Sequence, residues 1–419
     1  MATFKTISDG NIQTTRNVLN QLVDFVTGDV SGSATRKKYQ VFVTGGLASS
    51  GVTSSLFQTV YDQNYALQTS NELFDLTMGI FDGSALVVTS STGTDSAGKK
   101  LFPSNSLMMR EKISNYSQMA QILLGDATAQ FTAPFSEPAT DGSDNIDVAL
   151  FVPIKRLFTR DGIKRETFAM RFFSSCSDGE WGAGTTGRDN IFFPVPSTTG
   201  SQIFTDVGAA SAIQTSPQGG AVGNIINSSA TNSPPVGLLF YDLGIAVYDL
   251  EKITSGTQLM TGSIQAAYDP VTKTGGHTFR IDHEDPAVAG NVVMAGNFIP
   301  DFVVSASLDQ VIDHIATVRF GTASGDTFMT FQNNTFINST LYFCRATADE
   351  FNYSTNPTYK DANGRIVVVD ETTSQKSFSF VTTVGLYNAN EDLLAVAKLS
   401  RPVMKDIEKD LTFRVRLDF

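Results

Sequence analysis

Residues 411–419 read Leu411-Thr412-Phe413-Arg414-Val415-Arg416-Leu417-Asp418-Phe419, with apolar residues at every odd position and polar or charged ones at every even position. Successive side chains of a strand point to opposite faces, so this segment can bury one face and wet the other. It predicts a strand whose Phe413, Val415 and Leu417 enter a core. Similar strand patterns recur upstream at 327–332, 335–345, 365–370, 377–384 and 393–398. Segments 237–242 and 245–250 flank Leu243-Gly244, where glycine permits the tight backbone of a hairpin. Charged residues make up 17% of the chain, below the usual ~25%, and Ser, Thr, Asn and Gly fill the difference. The pattern predicts a mainly β, α+β chain of several domains, with an antiparallel, sandwich-like C-terminal region.

The N-terminal half reads differently. Val18, Leu19, Leu22, Val23 and Val26 recur at one-face helical spacing, with Gly28 placed as a cap, and predict a helix over 11–27. Met109, Ile113, Tyr116, Ala120 and Leu123 form a second stripe, predicting a helix over 107–124 that Gly125-Asp126 ends. Strands are expected at 39–43 and 73–81, separated by a long polar loop over 45–70. Segment 148–154 reads as a short buried strand whose Pro153 marks an edge or an end, with 167–173 as its partner. Segment 302–320 fits strand or helix. Over 174–233 apolar residues thin out, which predicts an extended arm or insertion between an N-terminal region (1–173) and a C-terminal one (234–419). The few large apolar residues of that arm, Trp181, Ile191, Phe192, Phe193, Ile203 and Phe204, are the candidate anchors for a neighbouring subunit.

Catalytic and ligand chemistry finds little support. A net charge of −12 argues against a nucleic-acid groove, and the longest basic run, Arg36-Lys37-Lys38, reads as a solvated strand entry. Cys176 and Cys344 stand far apart and read as small buried thiols. His277 and His283 lie among three carboxylates, but on a strand they would sit roughly 20 Å apart, so a metal would need a tight turn. Asp141, Ser143, Asn145 and Asp147 imitate the start of a calcium loop, yet Ile146 and Val152 stand where glycine and glutamate belong. The glycines of 46–51 have phosphate-loop spacing with Val52 in place of the lysine. His314 reads as a structural or interface residue. The expectation is a protein without enzymatic activity, cofactor or metal. Met1-Ala2-Thr3-Phe4-Lys5 lacks the apolar core of a secretory signal, and no window is apolar enough to span a bilayer, so synthesis in a cytoplasm without membrane contact is expected.

Two phrases carry a resemblance. They are Asp349-Glu350-Phe351-Asn352-Tyr353-Ser354-Thr355-Asn356-Pro357-Thr358-Tyr359 and the stretch 383–398, which contains Tyr387-Asn388-Ala389-Asn390-Glu391-Asp392 and Leu393-Leu394-Ala395-Val396-Ala397-Lys398. Both resemble segments of structural proteins of contractile-tailed phages of cyanobacterial and marine hosts. The order of a 393–398 strand, Pro402 and an alternating 411–419 strand is similar to the ends of such proteins. The resemblance covers about 235–419 and implies a late-expressed virion subunit, placed in the tail baseplate, with other tail proteins and further copies of itself as partners. A receptor- or glycan-binding tail fibre, and a capsid or neck protein, are the alternatives it leaves open.

Overall fold

The computed structural model describes residues 4–42, 53–87, 107–135, 142–174, 188–190, 201–211, 214–254, 259–261, 296–321, 325–354, 356–365 and 377–418. The fold is mainly β with a few helices, and nearly all strand pairs are antiparallel. Its strands are β1 (Ile12–Val26), β2 (Arg36–Phe42), β3 (Thr53–Tyr61), β4 (Glu72–Ile80), β5 (Val148–Pro153), β6 (Gly162–Ile163), β7 (Ala169–Phe173), β8 (Arg188–Asn190), β9 (Ser201–Thr205) and β10 (Gln214–Ser216). They continue with β11 (Gly220–Asn227), β12 (Pro235–Phe240), β13 (Ile245–Asp249), β14 (Leu259–Thr261), β15 (Gly296–Asn297), β16 (Thr327–Ala346), β17 (Phe378–Tyr387), β18 (Leu393–Asp406) and β19 (Leu411–Asp418).

The chain divides into two compact units, Asn20–Thr335 and Met1–Leu19 with Phe336–Phe419. These units differ from the expected division at 173 and 233. Within the supposed arm, residues 201–205 and 220–227 belong to the main sheet: β9 pairs with β7 and β11, and β11 pairs with β12. Single strands need little apolar content when neighbours on both sides complete their ladders, so average composition was a poor guide to 201–205 and 220–227.

Within Asn20–Thr335 the sheet runs β16-β7-β9-β11-β12-β13-β5-β4-β3-β2, with β10 beside β11 and β6 beside β16. Central β5 shows why the sequence builds a two-sided core. Val148, Leu150 and Val152 join one apolar cluster, and Ala149 and Phe151 join another. A strand buried on both faces reads as a continuous apolar run. Pro153 closes β5 at its end, opposite Ile245, so the missing N–H falls outside the central ladder. The partners of β5 are β13 and β4; the expected partner over 167–173 pairs with β9 and β16 instead. The helix Leu107–Leu123 forms as its stripe predicts, burying Met109, Tyr116, Ala120 and Leu123. Gly79 of β4 lets that helix approach closely, since a Cβ there would lie 2.6 Å from the Tyr116 nitrogen. Residues 302–320 resolve as helical, and the helix Leu308–Val318 starts with a capping box formed by Ser307 and Gln310.

Two expectations fail in the N-terminal part. The stretch 11–27 is strand β1 from Ile12 to Val26, and the 45–70 loop contains β3. In β1, residues 12–22 are exposed on both faces. Nothing there demands period-two alternation, so chance spacing of valines and leucines imitated a helix.

The second unit holds the C-terminal strands. β19 pairs with β16 from Asp418↔Ser339 to Leu411↔Ala346. Its alternation appears as foreseen, but only Val415 is fully buried, while Phe413 and Leu417 are half-buried. β17 and β18 form a hairpin, and the 393–398 strand runs on through Pro402 to Asp406. Pro402 is tolerated because the register shifts there, leaving 399–402 as an excursion opposite Thr382.

Candidate interaction surface

The two phrases that carry the resemblance meet in this second unit. Asn388 builds the hairpin turn: its Oδ1 accepts from the Asn390 and Asp392 amides at 2.9 and 2.8 Å. Glu391 takes a positive φ of 67° within that turn. The 349–359 phrase is tied to the hairpin's other end. Ser379 Oγ donates to the Phe351 carbonyl at 2.6 Å, and the Tyr359 hydroxyl donates to the Phe378 carbonyl. Lys405, fully buried, donates to Asn352 Oδ1 at 2.6 Å, to the Asp406 carbonyl at 2.8 Å and to the Ala348 carbonyl at 3.2 Å. All three ammonium protons are thereby used, as a buried charge requires.

Toward its turn the hairpin is apolar and open. Ladder partners share a face, so Tyr387 with Leu393 and Gly385 with Val396 lie together, and Lys398, opposite Thr383, borders them. Tyr387, Leu393 and Val396 are all exposed, and Phe4 stacks edge-on against Tyr387 with ring centroids 5.0 Å apart. On the other face Phe380 and Met404 pair and are exposed. Leu394, 67% exposed, is the extra residue of a bulge next to the turn. Separately, strand β1 exposes Val18 and Leu19. Singly exposed apolar residues are ordinary; contiguous ones on regular strands mark interaction surfaces.

Charge is divided unequally. Residues 1–19 with 336–419 carry 12 Lys/Arg and 12 Asp/Glu, while 20–335 carry 18 and 30, so the whole net charge of −12 belongs to the larger unit. Glu350 and Asp418 of the smaller unit are held ionised by partners. Lys5 and the Thr347 amide lower the pKa of Glu350, and Ser339 with Arg416 lower that of Asp418.

The sequence candidates fare variously. Phe204 is no outward anchor: it is fully buried in the sheet core, its ring 6.2 Å from Phe172 and 5.9 Å from Tyr248. Ile203, beside it, points outward as strand alternation requires. Trp181, Ile191, Phe192, Phe193, Cys176, His277, His283 and the 46–51 glycines lie outside the described residues. Cys344 is a half-buried thiol whose pKa burial raises. His314 is buried between the rings of Phe298 and Phe302, at 5.4 and 5.5 Å.

Arg36 is buried, not solvated. It donates to Asp313 at 3.1 Å and Thr317 at 2.9 Å, while Lys38 pairs with Asp309 at 2.7 Å, so the basic run fastens the helix Leu308–Val318 to the sheet. Around Asp249, which burial raises to about 7, stand Asp147 and Glu251, also raised by burial, with Lys252 the nearby cation. Among the described residues no group of three or more His, Cys, Asp or Glu is arranged to hold a metal ion, and no helix is long and apolar enough to cross a membrane. No family model matches the chain, nor does any curated protein or solved structure.

Proposed function

We propose that this chain is a non-enzymatic structural subunit of a contractile-tailed phage virion, placed in the tail baseplate, and that it holds neighbouring subunits through the strands of its 1–19/336–419 unit. The observation that carries the reading is the exposed apolar hairpin β17–β18, which contains one of the two phrases that resemble tail proteins and is hydrogen-bonded to the other. Apolar residues left in water on regular strands cost free energy that burial against a partner recovers, roughly 25 cal/mol per Å². Strand β1, open on both faces from Ile12 to Leu22, offers a second such surface. The test is placement: gold-labelled antibody to the chain should mark the tail end of intact particles. Label on the capsid or neck, or particles free of the chain, would overturn the reading.

A further inference from the structure

We propose that two copies of the chain pair edge to edge through β18, antiparallel across a two-fold axis at Val396, and so join two hairpins into one sheet ordered β17-β18-β18-β17. This deepens the structural-subunit reading by naming one partner for its surface. A two-stranded ribbon is marginal in water, whereas three or more strands sustain a sheet. Among the described residues β17 and β18 pair only with each other. β17 is engaged at both ends, by the Tyr359 hydroxyl on the Phe378 carbonyl and by Phe4 on the Tyr387 ring. Along β18, Leu393, Leu394, Val396, Lys398 and Arg401 are all exposed. An unpaired edge with apolar side chains is a template for another strand.

The hairpin's own charges select a second copy. Its turn is acidic, with Glu391 and Asp392 exposed, and the strand leading away from it is basic, with Lys398 and Arg401 exposed. Among the described residues the ion pairs of this unit are Lys5–Glu350, Lys409–Asp406 and Arg416–Asp418, and none of the four hairpin charges takes part in one. Val396 lies between the acidic and the basic pair in sequence. An antiparallel copy turned about that residue brings Glu391 and Asp392 of each chain alongside Lys398 and Arg401 of the other. Parallel pairing would set acid against acid and cation against cation. Opposite charges on facing strands stabilise a pairing and like charges oppose it, so the acid-to-base polarity fixes both direction and partner. The contact uses the same edge of both copies and closes at the dimer.

The test is sedimentation velocity of the full chain from low to high micromolar concentration, joined to cysteine cross-linking. The wild type should dimerise. Val396→Cys should give a disulfide-linked dimer under mild oxidation, because a residue at the axis faces its own copy with Cβ atoms about 4.5–5.5 Å apart. Thr383→Cys should not, since it lies on β17, roughly 14 Å from its counterpart across three strand spacings. The wild type, with Cys176 and Cys344, sets the background. Lys398→Glu/Arg401→Glu and Glu391→Lys/Asp392→Lys each set like charges across the seam and should weaken the dimer by at least ~10-fold. Mixed together, the two variants should pair as well as the wild type. All these positions are exposed, so the fold should survive, as circular dichroism will verify. A chain monomeric at high micromolar concentration, Val396→Cys linking no better than Thr383→Cys, or charge variants that fail to restore each other would overturn the proposal. A monomeric chain that still enters tails would sink the dimer alone; a chain that dimerises in this way but is absent from particles would sink the virion reading alone.

Discussion

Replacing Gly79 with alanine should test how the helix Leu107–Leu123 is seated on the sheet. A Cβ at residue 79 would lie 2.6, 2.7 and 2.8 Å from the nitrogen, Cβ and Cα of Tyr116. Carbon atoms in contact prefer about 3.5–4.0 Å, so the helix must retreat by roughly 1 Å. Two of the blocking atoms are backbone, so no rotamer change relieves the clash. Overpacking of this kind costs about 1–3 kcal/mol. Retreat also strains two buried hydrogen bonds: Tyr116 Oη donates to the Ile146 carbonyl at 2.8 Å and accepts from the Phe131 amide at 2.9 Å. Each is worth about 1 kcal/mol. Against this, alanine restricts the unfolded chain and returns about 0.4–1 kcal/mol. The net expectation is a loss of about 2–4 kcal/mol, read from urea unfolding followed by circular dichroism. Amides of 107–123 should also lose hydrogen-exchange protection. Gly10→Ala, with nothing within 4 Å of the added carbon, serves as the control and should stay within about 0.5 kcal/mol of the wild type. A Gly79→Ala variant equally close to the wild type would refute the argument that Gly79 sets the helix position.

Asp249 should make stability fall with rising pH. Its carboxyl is raised from 3.8 to about 7, chiefly by burial with Lys252 opposing, so the folded state holds a proton that the unfolded state releases. The contribution is fully present below about pH 4 and is lost as pH rises to about 7. Asp249→Asn keeps an oxygen for the Glu251 amide, now accepted at 3.0 Å, and should add about 2–4 kcal/mol at pH 8 but little at pH 4; equal effects at both would count against this account. Ending the chain after Asp410 removes β19 and bares one edge of β16. Buried Val415 and half-buried Phe413 and Leu417 together contribute about 3–6 kcal/mol. The open edge also invites aggregation. Soluble yield should collapse; a truncated chain that stays soluble and enters particles would show β19 to be dispensable.

What could be read from the residues was local. The 237–250 hairpin, the Leu107–Leu123 helix and β19 each carry their signal within one short window. Tyr116 and Ala120 lie four apart, and Leu243-Gly244 marks its own turn. What could not be read depends on distant chain. Lys405 draws its partner Asn352 from 53 residues away, and Arg36 meets Asp313 across 277. Lys112 is fully buried and donates to the carbonyls of Val303, Val304 and Ala306; no window around it announces that fate. Phe204 shows the same limit, because Ser201–Thr205 is core only once β7 and β11 flank it. The apolar hairpin surface was visible as Leu393-Leu394-Ala395-Val396, but a strand's outward face looks like an inward one until its neighbours are known.

The smaller unit is assembled from two segments separated by more than three hundred residues, and that separation sets a clock. Lys5 pairs with Glu350 across 345 residues, and Arg16 lies over the ring of Phe336 at 3.5 Å. A ribosome adding about 5–20 residues per second needs roughly 15–70 s to make the chain between them. During that interval Val18, Leu19 and Leu22 have been made and β16 has not. The larger unit can close on itself first; the smaller one comes into being only after the last strands emerge. A prematurely terminated chain therefore carries the larger unit without a finished β17–β18 hairpin, and the hairpin's exposed apolar face exists only in chains translated through their C-terminal strands.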